Sequence, residues 1–281
     1  MANPATNPLF KHFRQPAIYL RLPGQGRFWP EGSLDVPATG EIPVYPMTVK
    51  DEITIKTPDA LMNGVGVADV IQSCCPNIKN AWKTPSIDVN AILVAIRIAS
   101  YGHELEITST CPKCAESGDY NLDLRTVLDQ IKSPDFSVSI RYGDLEIFFK
   151  PMDYADQHDS NQEQWQEQRM IQMIPSSDLP DDEKITKLNE ALQKLTKLTV
   201  NALKHSIACV KTPKAMVTES EFISEFLNNC DRKLFNQIRD QVIALRESTE
   251  FKPLHLTCHN CQHEYNQTLT LDMASFFAPA S

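Results

Sequence analysis

Cys111-Pro-Lys-Cys114 and Cys258-His-Asn-Cys261 are the two stretches whose reading decides the fold. Alternating segments precede them: Glu104-Leu-Glu-Ile-Thr-Ser-Thr110 before the first pair and Leu254-His-Leu-Thr257 before the second. Period-two alternation is a strand signal, so each pair is expected at the turn of a β-hairpin. One Cys-x-x-Cys pair supplies two thiolates, half of a tetrahedral site, and two pairs brought together supply four. Their convergence would fasten residues 251–281 to the middle of the fold. The expected ligands are therefore Cys111, Cys114, Cys258 and Cys261, around a structural Zn2+ with no open coordination position.

Other readings of the cysteines are weaker. Neither pair opens a helix after a strand, where a redox-active pair would sit. A catalytic zinc needs a vacant position, usually beside a histidine or carboxylate, and His259 and His263 are the nearest histidines. Many zinc knuckles carry glycine directly after the second cysteine, where the backbone turns left-handed; here Ala115 and Gln262 stand there. Cys74, Cys75, Cys209 and Cys230 lie in apolar or helical contexts and read as small buried hydrophobes.

The 281-residue chain carries 42% apolar and 22% charged residues and a net charge of −9, a composition that can bury a real core. The acidic balance argues against broad nucleic-acid binding, which needs Lys and Arg to neutralise phosphates. No apolar run approaches the roughly 18–20 residues of a membrane helix. Met1-Ala-Asn-Pro-Ala-Thr-Asn-Pro8 lacks the basic-then-apolar plan of a secretory signal, so a reducing cytoplasm is expected, where paired cysteines bind metal more often than they form disulfides. Before Glu31 the chain holds Lys11, Arg14, Arg21 and Arg27 and no acidic residue, a pattern that fits docking on an acidic neighbour or a solvated tail.

Along the chain, an irregular N-terminal arm precedes a strand at Ala17–Leu22, a proline-rich stretch to Met47 and a second strand at Glu52–Lys56. Thr57-Pro58-Asp59 reads as a helix opening, with Gly64 breaking the helical material that runs to Cys74. Asp88 is expected to cap an all-apolar core helix ending at Tyr101. A short helix from Asp123 to Gln130 follows the first cysteine hairpin. Phe136–Arg141 and Leu145–Lys150 form the clearest hairpin in the chain, around Tyr142-Gly143-Asp144. Residues 151–250 are α-rich, with a 3-4-3 seam at Ile185, Leu188, Leu192 and Leu195 and helices near 219–229 and 231–247. Strands flank the second cysteine pair, and Asp272–Phe277 is a terminal helical turn presenting two aromatics. That tail either folds back or plugs a partner.

There is no phosphate-cradling glycine loop, nucleophile elbow or His-Glu-x-x-His helix, so no enzymatic activity is expected. Phe28, Trp29 and Trp82 suit either core packing or a docking surface. Arg21, Arg27, Phe28 and Trp29 are the candidate partner-binding residues. A zinc ribbon binding nucleic acid or a transcription complex is the alternative, but Glu104, Glu106, Glu116, Asp119 and Glu264 surround the one nearby cation, Lys113.

Leu20-Arg-Leu-Pro-Gly-Gln-Gly-Arg-Phe-Trp-Pro30, Ile42-Pro-Val-Tyr-Pro-Met-Thr-Val-Lys-Asp-Glu52, Lys56-Thr-Pro-Asp-Ala-Leu-Met-Asn-Gly64 and Ile96-Arg-Ile-Ala-Ser-Tyr-Gly102 occur in that order before Cys111. Together they resemble the baseplate proteins of T-even-like contractile-tailed bacteriophages, the family that includes the baseplate hub assembly protein. The resemblance covers roughly residues 17–125, with a weaker echo at Cys258–Phe277. It implies a non-enzymatic structural or assembly role in the phage tail, in a virion assembled in the host cytoplasm, with other baseplate hub or wedge proteins as partners. The expected architecture is α+β: a zinc-knuckle hairpin core made of residues 1–150 and 251–281, with 151–250 inserted as a helical domain.

Overall fold

A computed structural model describes residues 7–177, 179–269, 276 and 277. The fold is α+β, and the chain divides into two compact units. The first comprises residues 1–81, 88–132 and 251–281, and the second residues 82–87 and 133–250.

In the first unit, strands β1 (Ile18–Leu20) and β2 (Ile42–Val44) pair antiparallel, Ile18 opposite Val44 and Leu20 opposite Ile42. Helices α1 (Val49–Lys56), α2 (Pro58–Met62) and α3 (Val65–Cys74) follow. The strand expected at Glu52–Lys56 is therefore a helix. Its start is fixed by a capping box: Thr48 Oγ1 accepts the Asp51 N–H, and Asp51 Oδ2 accepts the Thr48 N–H at 2.8 Å. The apparent Ile53/Ile55 alternation arises because Ile55 is buried and Ile53 faces solvent. Thr57 precedes α2 as expected, yet its hydroxyl donates to the Ile53 carbonyl and caps nothing. Gly64, at φ +74°, separates α2 from α3.

Helix α4 (Ser86–Tyr101) belongs to this unit from Asp88 onward, and Ile92 through Ile96 are all buried, as its all-round apolar pattern requires. Asp88 does not cap it. The helix begins two residues earlier, and the buried Asp88 carboxylate accepts the Gly24 N–H (2.7 Å) and the Trp29 indole N–H (2.8 Å). Two long-range acceptor roles thus replace a local one. The two cysteine hairpins, β3 (Glu104–Thr110) with β4 (Ser117–Asp123) and β9 (Leu254–Thr257) with β10 (Glu264–Gln267), and helix α5 (Leu124–Gln130) complete the unit.

The second unit holds an antiparallel sheet in the order β5 (Ile140–Tyr142), β6 (Leu145–Phe149), β7 (Ile207–Lys211), β8 (Met216–Val217). Helices α6 (Tyr154–Met173), α7 (Asp181–Ser206), α8 (Ser220–Asn229) and α9 (Arg232–Glu247) accompany it. The β5–β6 hairpin turns at Gly143 (φ +57°), where the sequence placed it, but the first strand begins at Ile140 instead of Phe136. Strand β7 carries no signal of its own. It is five residues long, follows α7 without a break, and exists because Ile147 and Phe149 of β6 find Val210 and Ile207 opposite. Those four residues pack with Val200, Leu203, Ile223, Leu227, Leu234 and Ile238 into one core.

Candidate metal centre

Strands β3 (Glu104–Thr110) and β4 (Ser117–Asp123) pair along their whole length, Glu104 opposite Asp123 and Thr110 opposite Ser117. Asp123 then caps α5 (Leu124–Gln130), accepting the Arg125 N–H, so the helix expected from Asp123 to Gln130 begins one residue later. Strands β9 (Leu254–Thr257) and β10 (Glu264–Gln267) make the second, shorter hairpin, Thr257 opposite Glu264. A cysteine pair occupies each turn.

The two turns have the same backbone. Cys111 N–H donates to the Glu116 carbonyl and Ala115 N–H to the Cys111 carbonyl, both at 2.9 Å; Cys258 N–H donates to His263 and Gln262 N–H to Cys258, at 2.9 and 3.0 Å. Ala115 and Gln262 both adopt φ +57°, the left-handed conformation that glycine usually supplies after the second cysteine. The departure from glycine therefore leaves the knuckle geometry intact and places a strained residue in each turn.

The four Sγ atoms lie within 4.8 Å of one another, with Cys111 to Cys261 at 3.7 Å and Cys114 to Cys258 at 3.6 Å. Four thiolates at about 2.3 Å from a tetrahedral ion would stand about 3.8 Å apart, so these sulfurs can hold one metal ion. Free thiols have no such reason to gather. The Cys261 N–H, pointing at the Cys258 sulfur with help from the Asn260 N–H, pulls that thiol down to about 7 despite its burial. Cys261 is pushed up to about 12: the His263 N–H lowers it, but burial and the thiols of Cys114, Cys258 and Cys111 outweigh that donor. One cation at the centre would remove this conflict by allowing all four to ionise.

Neither nearby histidine joins the cluster. The His259 ring stacks on Tyr120 (5.0 Å, 20°) and the His263 ring on Tyr265 (6.4 Å, 13°). The tyrosines also bind the hairpins to each other. Tyr120 OH donates to the Thr257 carbonyl (3.3 Å), Tyr265 OH to Ser109 Oγ (3.1 Å), and the Ser109 hydroxyl to Gln267 Oε1 (2.9 Å). Sequence reading missed Tyr120, Tyr265 and Ser109 in this role. Their only trace is position, since each sits on a strand within a few residues of a cysteine or of the turn that carries one.

The family model described as T4 bacteriophage base plate protein matches residues 30–278, a span that contains all four cysteines. The chain belongs to that family. No curated protein and no solved structure matches it. The base plate family is a structural one, and membership makes this chain a component of the phage tail among other base plate proteins. The match runs through the helical block at 151–250, which the motifs noted in the sequence do not reach. Among the described residues, no helix of this base plate protein is long and apolar enough to cross a membrane.

The four partner-binding candidates lie on the segment after β1, ahead of the matched span. Arg21 is exposed and reaches Glu41 at 3.5 Å; Arg27 is exposed; Phe28 and Trp29 are half-buried, Trp29 being held by Asp88. Arg14, expected in a loose basic arm, is instead fixed to the unit. Its guanidinium donates to the Pro46 carbonyl (2.6 Å), the Ser73 carbonyl (2.8 Å) and the Ser73 hydroxyl (3.0 Å), with Asp51 at 3.3 Å. Of the terminal turn, Asp272–Ser275 lie outside the described residues. Phe276 and Phe277 are buried, and Arg97 Nε donates to the Phe276 carbonyl at 2.9 Å. These two aromatics fold back.

Proposed function

We propose that this chain is a non-enzymatic joining component of the contractile-tail base plate, fastened internally by one structural Zn2+ on Cys111, Cys114, Cys258 and Cys261. The observation that carries the reading is the meeting of four sulfurs from distant hairpins in a chain of the base plate family. An all-thiolate set of this spacing selects zinc over harder cations and leaves no position for water, which makes the ion a clamp. In the same reading the clamp closes the discontinuous first unit, residues 1–81, 88–132 and 251–281, and the second unit is the insertion that the sequence bounds at 151–250.

Contacts to neighbouring hub or wedge proteins use exposed Arg21 and Arg27 with the half-buried Phe28 and Trp29 beside them. Arg and aromatic side chains are the types most enriched where protein interfaces carry their energy. Asp88 supports this role by holding the loop from Gly24 to Trp29 in one conformation before any partner arrives. Assembly takes place in the host cytoplasm, where the thiols remain reduced until metal occupies them.

Two measurements test the proposal. Elemental analysis of the purified full chain should find one zinc per molecule, lost on Cys258→Ser; a metal-free protein with reduced cysteines would remove the clamp. Affinity capture from infected cells should recover other tail proteins, less of them with Arg27→Glu or Trp29→Ala. Recovery of polymerase or DNA in their place would overturn the joining role.

A further inference from the structure

A depression in the surface of the second unit is lined wholly by residues of that unit. Its apolar floor is the flank of the core already described. Phe136, Val242 and Leu245 are half-buried against that core, and Ile87 and Met152 line the depression beside them. Main-chain bonds hold the walls: the Lys150 N–H donates to the Ser206 carbonyl (2.9 Å) and the Ser86 N–H to the Met152 carbonyl (2.8 Å). The site is therefore formed before any ligand arrives. Its interior is about 40 Å³, room for the end of one side chain or about three waters.

The charge of the depression is one-sided. Lys150 and Arg246 line it, and no acidic residue does. Lys150 is exposed and makes no ion pair among the described residues. Arg246 meets Glu250 at 4.0 Å with both side chains more than half exposed, a contact that holds little. In a chain of net charge −9, two cations beside an apolar floor favour an anionic ligand with an apolar part. The Gln157 carboxamide also lines the depression and makes no hydrogen bond among the described residues. It offers one donor group and one acceptor to a peptide backbone.

We propose that this depression receives the last residue of another protein chain, its apolar side chain on the floor and its α-carboxylate against Lys150 and Arg246. The size of the site argues for a chain end. It takes one apolar side chain, and only a C-terminal residue carries a carboxylate on the same residue as such a side chain. The planar Arg246 guanidinium suits both carboxylate oxygens, and Lys150 adds a point charge. Gln157 meets the peptide group before the terminal residue. Capture of a terminal carboxylate is a recurring mode of peptide recognition. The inference rests on the joining role only for the source of that chain end, another base plate protein.

Titration of the isotope-labelled, metal-loaded full chain with the acetylated tetrapeptide Gly-Ala-Gly-Leu, followed by amide NMR shifts, tests the assignment. Shifts are expected at Lys150–Met152 and Val242–Thr249. The C-terminal amide of the same peptide binds more weakly by about tenfold or more, and so does the peptide ending in glycine. Hexanoate, which has the carboxylate and an apolar chain but no peptide group, is also weaker. Lys150→Gln and Arg246→Gln each weaken the free acid by about fivefold. Arg239→Gln, elsewhere on α9, leaves binding unchanged, and unchanged far-UV circular dichroism shows that all three variants fold. Equal binding of acid and amide, indifference to both glutamines at 150 and 246, or no shift at millimolar peptide would each overturn the inference. Hexanoate bound as tightly as the peptide would make this a small-molecule site and overturn it too. No other tail protein is in the sample, so these failures leave the joining role standing.

Discussion

At the scale of single residues, the most consequential side chain outside the cysteine cluster is Asp88. Burial pushes its carboxyl up to about 6, against the opposing pull of the Gly24 N–H and the Trp29 indole. In the unfolded chain the group titrates near 4. Between those two values the folded state holds a proton that the unfolded state has released. Stability therefore falls as pH rises from about 4 to about 6 and is flat above, by up to about 3 kcal/mol for a shift of this size. Denaturant unfolding of the wild type and Asp88→Asn between pH 4 and 7 isolates the effect: the Asp88 share of the slope should vanish in the variant. Equal slopes would mean that the carboxylate is not desolvated. The amide also costs about 1–3 kcal/mol, because its single oxygen leaves one of the two donors unmet. Nothing local announces any of this. Asp88 sits near a helix start, so the sequence offers a cap, while its actual partners are 64 and 59 residues away. Arg14 was illegible for the same reason. A basic residue in a proline-containing arm looks solvated until residues 46, 51 and 73 are brought around it.

At the scale of elements, the cysteine hairpins were the most legible part of the chain, because alternation and a paired turn residue are both short-range signals. The β5–β6 hairpin and helices α4, α5, α8 and α9 were readable on similar grounds, from periodicity, caps and flanking breaks. The failures share one cause. Strand β7 is made by its neighbour β6, and α1 was mistaken for a strand because two isoleucines at i and i+2 outweighed the Thr48–Asp51 box. The knuckles themselves carry a testable strain. Ala115 and Gln262, at φ +57°, occupy a conformation costing a non-glycine residue about 1–2 kcal/mol. Ala115→Gly removes that cost but loosens the unfolded chain, so the net change is neutral to about 1 kcal/mol stabilising. Ala115→Val, β-branched in the left-handed region, should destabilise by about 2 kcal/mol or more. Unfolding midpoints of metal-loaded protein check the pair. If glycine were the more damaging of the two, the left-handed turn would be wrong.

At the scale of the whole molecule, two short hairpins far apart in sequence are asked to stay together. A two-stranded hairpin is marginal in water by itself. Here the pairs are joined by Tyr120, Ser109, Tyr265 and Gln267, a small number of hydrogen bonds each worth about 1 kcal/mol. Against them stands the entropy of closing a loop of more than about 100 residues, about 5 kcal/mol in the chain-entropy treatment of cross-links. A metal ion bound by the four thiolates would be large enough to reverse this balance, since structural zinc sites contribute on the order of 10 kcal/mol. The consequence is selective. The core of the second unit, built on Ile147, Phe149, Leu203, Ile207 and Ile238, contains none of the four cysteines. Removing metal with a strong chelator under reducing conditions should abolish amide protection at Glu104–Asp123 and Leu254–Gln267 while helices α8 and α9 keep theirs, as read by hydrogen exchange with mass spectrometry. Restoring zinc should return protection to the hairpins. Uniform loss across both units would make the ion a requirement for the entire chain, and undisturbed hairpins would show that the tyrosine bonds suffice and that the cysteines are not a clamp.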